Sequence, residues 1–257
     1  MPYLMKKGLL YEMEDAFDML MDYHIIFVGE EHGSPMSHHA EFLILKGLSK
    51  RDSKLILALE MFERDVQGTL DAYLKGEVSE KAFLKQSRPW PNYKKDYRPL
   101  IELAKKKRIP VIAANIPRRA AAAVSLANKI SPDVMGEDRI YHPKTIHLKS
   151  KEYYSRFVSS MEEMPQSTPM KGINRDGLYK AQVLKDAVMA ASLEPFLDQH
   201  ILFCCGHFHS DYHLGIPLQI KRKYPKLRIA VIAMASTVDP LSMKDRSRVA
   251  DFIWVEE

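Results

Sequence analysis

Two apolar runs in this chain each end in a glycine followed three places later by a histidine, and this doubled unit constrains the fold more than any other feature. His24-Ile25-Ile26-Phe27-Val28 leads into Gly29-Glu30-Glu31-His32, and Ile201-Leu202-Phe203-Cys204-Cys205 leads into Gly206-His207-Phe208-His209. A third run, Leu55-Ile56-Leu57-Ala58-Leu59, ends at Glu60. Short apolar runs of this kind read as buried strands of a parallel sheet. In an open α/β sheet the carboxyl ends of the strands floor the ligand crevice. Three strands are therefore expected to deliver two imidazoles and a carboxylate to one place.

Glycine at a strand end permits a sharp turn, so a residue three positions on can point back over the sheet. Histidine there can ligate a metal, act as a general base or donate to an anion. His32, Glu60 and His209 are the candidate metal ligands. With Glu30 and Arg118, they are also the candidate catalytic groups. Either Glu30 or Glu31 is expected to face the crevice; alternation cannot choose between them once the strand has ended. Two carboxylates and two imidazoles suit a divalent ion such as iron, zinc or manganese, whose bound water would be acidified toward neutral pH. The same residues also serve a metal-free scheme, with His32 as general base and a carboxylate orienting it. Arg118, just after Pro117 beyond the third strand, can bind a carboxylate or phosphate, or pair with Glu30 or Glu60. His39 is placed over the first motif by its seven-residue distance from His32. Gln182 and Asp186 share a helix face that can reach the crevice.

The remaining pattern alternates strands with helical periodicity, which predicts an α/β fold with a mostly parallel central sheet flanked by helices. Strands are expected near 24–28, 54–60, 110–115, 201–205 and 227–233, with a final edge strand at 251–255. Segment 86–98 reads as a proline- and aromatic-rich loop. The whole chain, 1–257, reads as a single domain, and about 131–197 as a helical insertion or lid, with prolines at 132, 143, 165 and 169. A hydrophobic fraction of 46% and a charged fraction of 28% exclude disordered and fibrous classes. The net charge of +5 is mild, and its lysine and arginine runs fit helix ends, so no nucleic-acid partner is expected. The two adjacent cysteines, Cys204 and Cys205, give no disulfide framework. The N-terminal residues lack a signal-peptide core and no apolar run is long enough to span a membrane, so a cytoplasmic protein is expected.

Several motifs resemble one family. Gly29-Glu30-Glu31-His32 with His38-His39, then Leu59-Glu60-Met61-Phe62, is similar to the ChaN-like family, which carries the cofacial haem-binding domain. That family lies within the wider Tiki/TraB/erythromycin-esterase superfamily. The likeness continues through Trp90-Pro91-Asn92-Tyr93-Lys94-Lys95-Asp96-Tyr97-Arg98-Pro99-Leu100 and Ile109–Arg118, resumes at Ala181–Ala190, and closes on Gly206–His209 and Gly215-Ile216-Pro217. The resemblance implies an α/β core with a helical appendage. It places His32, Glu60 and His209 at the recurrent Gly-x-x-His and glutamate positions. It further implies a haem- or metal-binding protein that forms a homodimer, with Tyr179 as a haem-facing residue. The superfamily also includes metal-dependent proteases and metal-independent esterases, so a hydrolase using both Gly-x-x-His motifs and Glu60 is the alternative. Haem-uptake members look like exported lipoproteins, a pattern not seen at the start of this sequence.

Overall fold

Residues 1–163, 174–238 and 243–256 are described by the computed structural model. The chain opens with a hairpin, β1 (Pro2–Lys6) and β2 (Leu9–Tyr11), turned by Lys7 and Gly8, both at positive φ. Helix α1 (Met13–Leu20) and strand β3 (Ile25–Glu30) follow, then α2 (Pro35–Arg51) and β4 (Ile56–Glu63). Helices α3 (Gln67–Lys75), α4 (Glu80–Ser87), α5 (Tyr93–Asp96) and α6 (Arg98–Lys107) lead to β5 (Val111–Asn115). Helices α7 (Arg118–Ala127), α8 (Pro132–Met135), α9 (Lys151–Glu163) and α10 (Arg175–Ser192) precede β6 (Ile201–Gly206). The chain closes with α11 (Ile216–Lys223), β7 (Ile229–Met234), α12 (Ala235–Val238), α13 (Met243–Val249) and β8 (Phe252–Glu256).

These strands form one eight-stranded sheet in the order β2-β1-β8-β7-β3-β6-β4-β5. Every pairing from β8 to β5 is parallel, and only β1 runs antiparallel, to both β2 and β8. Alternation along the strands sorts the core into two layers. Ile26, Val28, Leu57, Leu59, Leu202 and Ile232 face α1, α2 and α6. Ile25, Phe27, Ile56, Ala58, Phe203 and Val231 face the end of α10 and α11. The fold is thus a three-layer α/β sandwich, as the strand and helix pattern predicts.

Two details differ from the sequence reading. Strand β8 was expected at a sheet edge, but β1 pairs along it, with Leu4 opposite Trp254 and Tyr3 opposite Val255. The physical reason is that Phe252 and Trp254 are fully buried, so the strand cannot present an open flank. The segment expected to be loop at 86–98 contains the single-turn helix α5, whose Tyr93 packs beside Phe62 and Phe83. Prolines 165 and 169 of the expected lid lie outside the described residues. Among the described residues, no helix is long and apolar enough to cross a membrane.

Candidate functional site

The sheet order explains where a crevice opens. Strands β3 and β6 are neighbours in register, with Gly29 opposite Cys205 and Glu30 opposite Gly206. Beyond its carboxyl end β3 feeds α2 on one face of the sheet, whereas β6 feeds α11 on the other. Adjacent strands whose connections leave to opposite faces define a topological switch point, the usual ligand crevice of an open sheet. Both Gly-x-x-His units therefore meet at this point. Strand β4 flanks β6 on its other side, and its last pairing with β6 is Leu59 opposite Cys204. Glu60 is the next residue, so its carboxylate reaches the end of β6 and accepts the Gly206 N–H at 2.8 Å.

Gly206 matters here through close approach rather than backbone angle. A Cβ on it would meet His32 Cε1 at 2.8 Å, His32 Nε2 at 2.9 Å and Glu60 Oε2 at 3.6 Å. The imidazole of His32 thus rests on bare backbone beside the Glu60 carboxylate. The Nδ1–H of His32 is donated to Glu30, and the same Glu30 oxygen accepts the Tyr97 hydroxyl at 2.7 Å. The His32 side chain is 52% exposed while Glu30 is completely buried. The Glu30 hydrogen bond, acting against burial and helped by the charges of Glu60 and Glu30, raises His32 above the ordinary histidine range. Trp90 stands edge-on to His32 at 5.1 Å between ring centres.

His209 lies in the single turn that follows β6 and is buried. Its Nδ1 bonds Asp186 at 2.6 Å and its Nε2 lies 3.3 Å from Glu60. Burial alone would lower His209, but Glu60 and Asp186 together lift it to about 10. Burial would likewise raise Glu60, yet the charge and hydrogen bond of His209, the Gly206 N–H and His32 hold it at about 2. Asp186 is raised by burial against the pull of His209. The group is a histidine whose two ring nitrogens face two acids. Asp186 also accepts the Tyr153 hydroxyl at 2.5 Å, and the Gln182 amide lies over the His209 ring, 3.2 Å from Nδ1. Helix α10, opened by the Asn174 side chain capping Asp176 and Gly177, brings Gln182 and Asp186 to this point.

The structure thus brings Glu30, His32, Glu60, His209, Gln182 and Asp186 together. Of the two acids that alternation left open, Glu30 points inward and Glu31 is exposed. His39 is not brought to the crevice: its half-exposed ring pairs with Glu256 on β8 at 2.7 Å. Arg118 starts α7 directly beyond β5, is exposed, and makes no ion pair among the described residues. Neither Glu30 nor Glu60 pairs with it. Tyr179 is buried, donates to the carbonyls of Leu148 and Ser150, and packs against Tyr153, Tyr154 and Phe157. Burial pushes its hydroxyl up to about 12.

Sequence reasoning passed over a second layer beneath His32. His38 Nδ1 lies 3.1 Å from Glu41 and 3.5 Å from Glu30, and its Nε2 lies 3.4 Å from Asp96. Among the described residues, Glu30, His38 and Glu41 are the group whose ligand atoms all lie within 4.8 Å of one another; His32, Glu60 and His209 do not form such a group. Burial, then the charge of Glu30 beside it, pushes Glu41 well above the usual carboxylate range. A signal for this layer was present: His38 and Glu41 are three apart on a helix, hence on one face. Tyr97 and Asp96 belong to the Trp90–Leu100 motif, whose contribution to the site only the tertiary contact reveals.

The family described as haem-binding uptake, Tiki superfamily, ChaN matches residues 16–220. The structure titled for cofacial heme binding to ChaN of Campylobacter jejuni is similar at a TM-score of 0.77 and 18% identity, covering 100% of this chain and 97% of that one. A curated relative, Protein RETICULATA-RELATED 5, chloroplastic, of Arabidopsis thaliana, is 25% identical across 93% of this chain and 35% of its own length. The chain therefore spans about a third of that relative. RRSP, a MARTX toxin effector domain from Vibrio vulnificus CMCP6, aligns at a TM-score of 0.49 and 16% identity over 88% of this chain and 36% of that one.

Proposed function

The chain belongs to the haem-binding uptake, Tiki superfamily, ChaN family, and from that premise we propose that it binds haem or a metal ion at the switch-point crevice, with His32 as the ligand. One observation carries this reading. The Nδ1–H of His32 is committed to buried Glu30, while the ring itself is half-exposed. An imidazole fixed in this way has Nε2 as its lone-pair nitrogen, and the carboxylate behind it raises its basicity. The residues present therefore fit a haem or metal ligand. Haem, when bound, would supply an iron that the His32 imidazole would hold. Glu60 adds negative charge beside that nitrogen, and Trp90 gives an apolar wall. Arg118, exposed at the same edge, is suited to a ligand carboxylate. Tyr179 would first have to give up its two backbone carbonyls to face the iron. A homodimer, with the ligand held between the sheet's carboxyl edge and the lid, completes the proposal.

Titration of the purified protein with haemin tests it. The expected result is an intense Soret band for the wild type, with affinity at least tenfold weaker in His32→Ala and little changed in Tyr179→Phe. Light scattering across the titration reports the dimer. A flat titration, together with no metal by elemental analysis, would overturn the reading.

A hydrolase remains as a second reading because the Glu30–His32 pair has the geometry of a carboxylate-oriented general base. It requires His32→Ala to abolish ester, amide or phosphoester turnover while the fold persists. Full turnover in that variant would end it.

A further inference from the structure

Beneath the crevice, Glu30, His38 and Glu41 form a buried cluster, of which Glu30 alone also contacts His32. All three are enclosed, with His38 8% exposed and both glutamates at 0%. Three of their polar atoms, Glu30 Oε2, Glu41 Oε1 and His38 Nε2, have no hydrogen-bond partner among the described residues. Leaving such groups bare is costly; His38 Nε2 faces Asp96, and the two glutamate oxygens call for an occupant. Two carboxylates and one imidazole converging on one point are a divalent-cation donor set.

We propose that Glu30, His38 and Glu41 hold a divalent first-row transition ion, with Glu30 as the carboxylate shared between this buried ion and the His32 crevice. The spacing supports it. His38 Nδ1 lies 3.5 Å from Glu30 Oε2 and 3.1 Å from Glu41 Oε2. Ligands roughly 2.0–2.2 Å from a tetrahedral ion stand about 3.3–3.6 Å apart, so little movement closes the site. Asp96 Oδ2, 3.4 Å from His38 Nε2, occupies the outer position that fixes a ligating imidazole. Asn92 in turn donates to that Asp96 oxygen at 2.7 Å. Glu30 divides its oxygens: Oε1 takes His32 and Tyr97, and Oε2 faces His38. Nitrogen and oxygen donors suit zinc, manganese or ferrous iron, and exclude a thiolate-selected soft ion.

Equilibrium dialysis of the purified protein against Zn²⁺ or Mn²⁺ alone, read by elemental mass spectrometry, tests the site. One ion per chain is expected to remain in His32→Ala, where the crevice ligand is gone, which separates this site from the crevice. Glu41→Gln, which keeps the volume, is expected to weaken binding at least a hundredfold. Asp96→Asn is expected to weaken it about ten- to a hundredfold. X-ray absorption of the zinc-loaded wild type gives a readout independent of any variant's folding, with only nitrogen and oxygen neighbours expected. Failure of the wild type to retain an ion would overturn the proposal. So would undiminished binding in Glu41→Gln, loss of the ion in His32→Ala, or sulfur in the first shell.

Discussion

His209 holds its proton well above the ordinary histidine range, since Asp186 and Glu60 flank both of its nitrogens. Two pH limbs follow from that trio. His209 is raised from 6.5 to about 10, so its stabilisation is complete below pH 6.5 and is lost as pH rises toward 10. Glu60 is depressed from 4.5 to about 2, so its stabilisation holds above pH 4.5 and is lost as pH falls toward 2. Asp186, raised by burial, acts in the opposite sense and makes the acid limb shallower. Thermal unfolding across pH is expected to show an alkaline decline above 6.5 that His209→Gln flattens. That substitution leaves two buried acids without a partner, and denaturant melts should show a loss of about 3–5 kcal/mol. His32 behaves differently because its nitrogen must be free to ligate. Glu30 raises it, so protons compete for Nε2 to a higher pH than for an ordinary histidine. Haemin or metal affinity is therefore expected to fall as pH drops, with a midpoint above the usual 6.5. His38 and Glu41 show how far local spacing reaches: it places both on one helix face but cannot say that Glu30, on a strand, lies opposite them.

Among the elements, α10 decides whether the crevice is assembled. Its Gly177 passes so close to α7 that a Cβ would sit 2.1 Å from the Ser125 carbonyl oxygen. Backbone cannot yield as a side chain can, so Gly177→Ala is expected to push α10 outward and cost about 1–3 kcal/mol. Asp186 and Gln182 would move with it, and the His209 ring would show it in its NMR titration. Gly206→Ala is a gentler perturbation, because the atoms its Cβ would meet belong to the His32 ring. Near-normal stability with much weaker ligand binding is expected there. The helix-then-strand alternation was readable for β3, β4, β5, β6 and β7, since each is a buried apolar run. The N-terminal hairpin was not, because β2 exposes Leu9 and Leu10 and shows no burial pattern.

For the whole molecule, that hairpin closes the sheet. Without β1 and β2, the flank of β8 and its buried Trp254 would be open to pairing with another copy. A variant starting at residue 12 is expected to self-associate, as light scattering would show, while the remaining parallel sheet keeps its circular dichroism. The crevice lies on the opposite side of β3 from this edge, so haemin binding by the soluble fraction should persist.

The sequence by itself determined the strands from β3 to β8, the helices that alternate with them, and the residue types at each strand end, because burial periodicity and glycine turns are local properties. It could not order the strands. Only the tertiary structure inserted β6 between β3 and β4, and that insertion sets the two Gly-x-x-His turns side by side with Glu60. The same packing turned His39 toward Glu256 and drew its neighbour His38 inward. Adjacent residues on a helix point about 100° apart, so which one meets the sheet depends on where the helix docks, a long-range outcome that no local pattern encodes.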